Sequence, residues 1–139
     1  MIIRKAELRD LPECYKLCKI REILDLGGKP PKKWWIKSFI KEKQIFLVAK
    51  KDDKIIGFIL GERTTGNIAI LHLCVVKKEY RNKGVGQELL RKAEKECKKR
   101  KLKVIMIYGY KNKKIKHILK KLKYDIGNIY YEFQKWLYV

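Results

Sequence analysis

Apolar positions recur along this chain with two periods, and the switches between them mark its elements. Ile2–Arg4 opens as a short strand. Asp10 stands where it can cap a helix from Leu11, with Pro12 in the first turn, where a missing N–H costs nothing. Leu17, Ile20 and Leu24 follow at helical spacing, with Cys14 and Cys18 four apart among them. Gly27 and Gly28 stop that helix, and Pro30 and Pro31 keep the next stretch a loop. Trp34–Ile40 predicts a second, shorter helix. The period then falls to two. Ile45–Ala49 and Ile55–Leu60 flank Lys51–Lys54, whose paired aspartates give a hairpin signal. After Thr65–Asn67 comes a longer strand, Ile68–Val76. A glycine-bearing turn, Arg81–Gly86, feeds a helix to about Arg100 whose Val85, Leu89, Ala93 and Cys97 form one stripe. Leu102–Tyr108 is strand again. Asn112 opens a helix with Ile115, Ile118, Leu119 and Leu122 at i, i+3, i+4 and i+7. Aromatic-rich Ile129–Leu137 closes the chain as a strand. The predicted order is β-α-α-β-β-β-α-β-α-β: an α/β (α+β) fold with a mixed sheet and helices on its faces.

Composition narrows the class. At 139 residues the chain fits one domain, and 46% hydrophobic residues suffice for a core. The longest apolar run, Ile68–Val76, contains His72 and is under half of the roughly 20 residues a membrane span needs. The opening residues lack an apolar stretch of signal-peptide length. Four cysteines with no Cys-x-x-Cys pair suggest neither a disulfide scaffold nor zinc. The expectation is a cytoplasmic protein with reduced thiols, no metal and no membrane partner, as monomer or homodimer. The formal net charge of +21 attracts polyanions, and basic residues cluster at Lys98–Lys103 and Lys111–Lys123. Both clusters fall on helix surfaces or helix–strand junctions. Nucleic-acid binding is therefore expected to be non-specific, a by-product of lysine-rich solvated faces.

The stretch that carries chemistry is Cys74–Gly86. A buried strand runs into a turn with Gly84 and Gly86, and the turn into a helix. Such a turn presents successive backbone N–H groups, and the helix N-terminus adds about half a positive charge. Glycines admit a phosphate without Cβ collisions, while Arg81 and Lys83 supply formal charge. The spacing is neither that of the P-loop nor Gly-x-Gly-x-x-Gly. Alone, such a turn is equally well read as a plain helix start.

Arg81-x-x-Gly84-x-Gly86, after a long strand and before an amphipathic helix, resembles the acetyl-CoA-binding motif of the GNAT superfamily of N-acetyltransferases. The resemblance spans most of the chain. Lys54–Ile59, with Gly57, looks like the family's third strand, and Asn112 through Tyr124 matches the spacing of its second signature. The resemblance implies that coenzyme A lays its pyrophosphate on the amides of Asn82, Lys83, Gly84, Val85 and Gly86. It also implies that the pantetheine pairs like a strand with Cys74, Val75 and Val76, and that Asn112 makes a polar contact. The Cys74 amide would then stabilise the oxyanion.

Some of the family's positions are filled differently. The tyrosine that often serves as acid, seven residues after the asparagine, is Leu119, and the strand positions that carry a base in some branches read Ile70 and Ile107. His72 remains as candidate base. It stands two before Cys74, which alternation puts on one strand face, a spacing similar to that of arylalkylamine-type members. Its competing reading is a core-edge histidine satisfied by backbone. Tyr108, Tyr110 and Tyr124, near the family's cofactor end, are candidate acids, Tyr124 first among them; none sits at the matching position, and each also reads as a core or rim aromatic. One of Trp34 and Trp35 is expected to pack inward and the other to line the acceptor side. Glu62, placed just past the second hairpin strand, is a candidate to bind the amine. Cys14, Cys18 and Cys97 read as core fillers. The expected activity is direct acetyl transfer from acetyl-CoA to a primary amine, a peptide α-amine or small amine favoured. The alternative is a non-enzymatic acyl-CoA- or nucleic-acid-binding module.

Overall fold

The computed structural model describes residues 1–19, 29–108, 113–129, 131 and 133–137. They fall into two compact units, Met1–Tyr108 and Gly109–Val139. The first holds strand β1 (Ile2–Lys5), helices α1 (Leu11–Leu17) and α2 (Lys33–Lys41), and strands β2 (Ile45–Lys51), β3 (Lys54–Thr64) and β4 (Ile68–Val76). Helix α3 (Val85–Lys99) and strand β5 (Val104–Ile107) complete it. The five strands lie side by side in chain order. The first three pairings are antiparallel and β4–β5 is parallel, as a strand reached through a helical crossover must be.

Local chemistry explains the joints. Asp52 and Asp53 have φ of 50° and 59°, the two left-handed positions of the tight turn that the right-handed twist of a hairpin favours. They close a loop whose flanking pair is Lys51–Lys54. One sheet face packs Phe58, Leu60 and Val75 against Leu11 and Cys14 of α1 and Ile36 and Phe39 of α2. Helix α3 supplies a second buried stripe, Val85, Leu89, Leu90, Ala93 and Cys97. Cys14, Cys18 and Cys97 are buried and free, and burial pushes their thiols up to about 12, 11 and 11.

Three expectations change, and a fourth falls outside the described residues. Asp10 precedes α1 but makes no side-chain cap. Its carboxylate instead accepts from Arg4 Nη1 and Nη2 at 2.8 and 2.9 Å and from the Glu7 amide at 2.7 Å. Buried and triply bonded there, it ties β1 to the entry of α1. Strand β3 runs four residues past the predicted Leu60, to Thr64, because Gly61 lies inside it rather than ending it. The expected continuation of α1 through Ile20 and Leu24 lies outside the described residues. The alternating Ile129–Leu137 segment forms no strand among its described residues, and Ile129, Tyr131 and Phe133 are exposed. Alternation says which face a strand would bury and does not itself supply a pairing edge. Helix α4 (Lys113–Lys121) belongs to the second unit, where Ile118, Leu119, Leu122 and Tyr124 are half-buried.

Candidate acyl-coenzyme A site

The site begins where two strands part. Strand β4 pairs with β5 from Ile68 to Leu71, opposite Val104 to Ile107. Beyond Leu71, β4 continues for five residues with β3 as its one strand partner among the described residues, through Leu73, Cys74, Val75 and Val76. That leaves an open edge about 17 Å long at 3.3 Å per residue. The Lys77 amide donates to the Ile56 carbonyl at 2.8 Å, so by alternation Val75 also turns its main chain toward β3. Cys74 and Val76 therefore direct their N–H and C=O groups to the open edge. Val75, expected among the cofactor contacts, offers it none.

Past Val76 the chain folds through the glycine turn. Arg81 Nε donates to the Val76 carbonyl at 3.0 Å, which ties the turn to the strand end. Asn82 and Gly84 have φ of 61° and 82°, left-handed values that Asn tolerates and glycine takes at no cost. The Lys83 ammonium stands 5.8 Å from the centre of the Tyr80 ring. Helix α3 starts at Val85, and its first intrahelical bond comes from the Glu88 amide to the Gly84 carbonyl at 3.0 Å. The amides of Val85, Gly86 and Gln87 precede that bond and point along the axis, where the dipole favours an anion. A Cβ on Gly86 would meet Val76 and Cys74 only at ordinary distances of 3.6 and 3.9 Å, and one on Gly84 would meet nothing within 4 Å. Protein packing does not require a glycine at Gly86. The bare backbone there is a cradle that suits a phosphate.

The third part is His72, and here strand alternation misleads. In the β3–β4 ladder Leu60 faces Leu73 and Gly61 faces Leu71, so His72 is the inserted residue of a bulge. A Cβ on Gly61 would lie 2.6 Å from the Ile70 carbonyl oxygen, so this close crossing demands glycine. The insertion turns His72 to the α1–α2 face beside Leu73. Its ring meets Trp35 edge-on at 5.5 Å and Phe39 at 5.9 Å. Cys74 points the other way, its Sγ 3.9 Å from the Gly86 carbonyl oxygen. The expectation that His72 and Cys74 share a face is thus overturned. The Cys74 residue is exposed, yet burial of its sulfur pushes the thiol up to about 12.

Glu62 is the residue that sequence reasoning undervalued. It lies within β3 on the face of Leu60, its Oε1 3.6 Å from His72 Nε2. Gly61 was the available signal, since a lone glycine inside a strand pattern marks a bulge or a close backbone approach. Trp35 packs inward against the α1–α2 core, and Trp34 is 66% exposed. Tyr124 belongs to the second unit, where its amide donates to the Leu119 carbonyl at 2.9 Å. Asn112 and Tyr110 lie outside the described residues. Among the described residues no helix is long and apolar enough to cross a membrane, and no three His, Cys, Asp or Glu side chains are grouped to hold a metal.

The strand edge of β4 thus opens beside the glycine cradle. The Acetyltransferase (GNAT) family matches residues 3–122. The chain belongs to that family. No curated protein sequence matches it. Among solved structures, the ribosomal-protein-S18-alanine N-acetyltransferase of Escherichia coli is similar with a TM-score of 0.77 at 20% identity, covering 91% of this chain and 79% of that one. The PaiA N-acetyltransferase of Thermoplasma acidophilum, solved in complex with coenzyme A, gives 0.65 at 25% identity, covering 88% and 87%. An aminoglycoside antibiotic 6′-N-acetyltransferase of Acinetobacter haemolyticus gives 0.73 at 19%, covering 99% of both chains. These neighbours share the GNAT fold, and the two whose names give an acceptor differ in it.

Proposed function

We propose that this GNAT protein transfers an acetyl group from acetyl-CoA to a primary amine. The observation that carries the reading is the open β4 edge at Cys74–Val76 leading directly to the cradle at Asn82–Gly86. Acetyl-CoA brings an activated thioester; the protein supplies binding and proton handling. The amides of Asn82, Lys83, Gly84, Val85 and Gly86 hold the pyrophosphate, and Lys83 adds charge from the same turn. Arg81 holds the turn in place through its bond to Val76. The Cys74 and Val76 main chain pairs with the pantetheine arm, and the Cys74 amide steadies the oxyanion as charge develops. Asn112 remains assigned a polar cofactor contact on the family signature alone.

His72 removes the proton from the attacking nitrogen, since histidines as a class titrate near neutrality. A leaving thiol with an ordinary pKa of about 8.5 needs no protein acid near neutrality, so the reading does not depend on Tyr124. A lysine amine, pKa about 10.4, is under a thousandth neutral at pH 7, whereas an α-amine near 7.7–8.0 is about a tenth neutral. A single imidazole base therefore favours α-amines or other amines of low pKa. The decisive test is release of free coenzyme A thiol from acetyl-CoA over a panel of α-amino peptides and small amines. Release that depends on an amine supports transfer. Coenzyme A binding with no release under any amine would leave a binding module instead.

A further inference from the structure

His72 Nε2 is a buried polar atom with no hydrogen-bond partner among the described residues. The side chain as a whole keeps 29% of its surface, so the exposed part of the ring lies away from Nε2. What Nε2 faces is the Glu62 carboxylate, at 3.6 Å, on a side chain that is itself 39% exposed. The other neighbours of the ring, Trp35 and Phe39 of α2, do not ionise at any working pH. A buried imidazole nitrogen opposite a carboxylate is stable as a donor and costly as an orphaned acceptor.

We propose that Glu62 is a positioning residue that fixes the tautomer of His72, with the proton on Nε2 facing the carboxylate and Nδ1 left as the base. The inference rests on His72 being the base, and it names the atom that does the work. As the acceptor nitrogen bonds to the acetyl carbon and the carbon–sulfur bond breaks, the electron pair leaves on sulfur and Nδ1 takes the proton from nitrogen. The imidazolium then carries Nε2–H toward Glu62 and gives its Nδ1 proton to solvent. The bulge makes this possible. With regular alternation His72 would point to the α3 face and never meet Glu62. The contact shortens when the ring becomes charged, as catalytic pairs that are loose at rest do. The carboxylate thus plays toward an imidazole the part a buried aspartate plays in hydrolase triads, on a different pair of strands.

Nitrogen NMR of the ¹⁵N-histidine-labelled protein tests this without turnover. The chain has only two histidines, and His117 in α4 serves as internal control. In the wild-type neutral ring, His72 should populate the Nε2–H form almost alone. Glu62→Ala should give a mixture of tautomers, while Glu62→Asp keeps part of the bias and His117 does not change. An unchanged His72 tautomer in Glu62→Ala, or a wild-type ring protonated at Nδ1, would overturn the proposal. In the thiol-release assay, Glu62→Ala should lower kcat about ten- to a hundredfold with KM for acetyl-CoA unchanged. Adding it to His72→Ala should cost nothing further. Full additivity would make Glu62 an independent contact. If His72→Ala turned over at full speed while the tautomer followed Glu62, the base assignment would fail and the pairing stand.

Discussion

Trp35 and Phe39 stand edge-on to the His72 imidazole, and with His72 as the proposed base its removal is expected to cost chemistry rather than binding. His72→Ala should lower kcat by roughly 10²–10⁴ and leave coenzyme A affinity unchanged. Steady-state rates between about pH 6 and 9 check this, and a full-speed variant would make His72 a packing residue. A second residue, Asp10, acts on stability. Burial works to raise its pKa, but the Arg4 guanidinium and the Glu7 amide outweigh that and hold it below the ordinary 3.8. A lowered folded-state value means its contribution is complete above the unfolded pKa and is lost as pH falls through the folded one. The wild type should therefore weaken below about pH 3.8, with a shallower acid slope in Asp10→Asn. At neutrality Asp10→Asn should cost about 2–3 kcal/mol, because it strands a partly buried Arg4. Denaturant melts at several pH values measure both.

At the scale of elements, the glycine turn and the bulge show what a sequence can and cannot tell. The turn was readable because its requirements are local: left-handed backbone at Asn82 and Gly84, then a helix start. The hairpin at Asp52–Asp53 was readable for the same reason. The bulge was not, because a two-residue period carries no mark of an inserted residue on the strand that bears it. Its trace was on the partner strand, as Gly61, and ending β3 at Leu60 put that glycine outside the strand and left Glu62 just past its end rather than on its face. Asp10 was misread in kind, since a good N-cap residue can spend its carboxylate on a neighbouring arginine. The turn makes its own prediction. Gly86→Glu puts a side chain and a negative charge into the cradle without clashing with the fold. Losing several charge-assisted contacts at roughly 1.5–3 kcal/mol each should weaken coenzyme A at least a hundredfold. Calorimetry on the folded variant reads this directly, and unchanged affinity would remove the cradle from the site.

For the whole molecule, the net charge of +21 sets how partners approach. The field draws in anionic acetyl-CoA and opposes strongly cationic acceptors such as polyamines. Salt screens both over about 8 Å at physiological strength. Raising salt should then raise KM for acetyl-CoA while leaving or improving use of a cationic acceptor, whereas a neutral acceptor gains nothing. Rates at several ionic strengths, with each substrate varied in turn, separate the two. Family membership was legible at this scale, since the resemblance drew on motifs in both halves of the sequence and the family matches residues 3–122. The acceptor was not, because contacts such as those of His72 with Glu62, Trp35 and Phe39 join side chains from separate elements that no local spacing in the sequence links.

The sulfur of Cys74 lies under the start of α3, at the edge where a thioester would be carried. A reactive thiol in that place would exchange with the thioester and trap the acetyl group on the protein. With burial pushing its pKa up to about 12, far less of it is thiolate at pH 7 than the few per cent of a free cysteine. Helix packing therefore makes the residue chemically deaf to the cargo beside it. Protein incubated with acetyl-CoA and no amine should show no acetylated Cys74 by mass spectrometry, and the donor waits intact until a nitrogen nucleophile arrives.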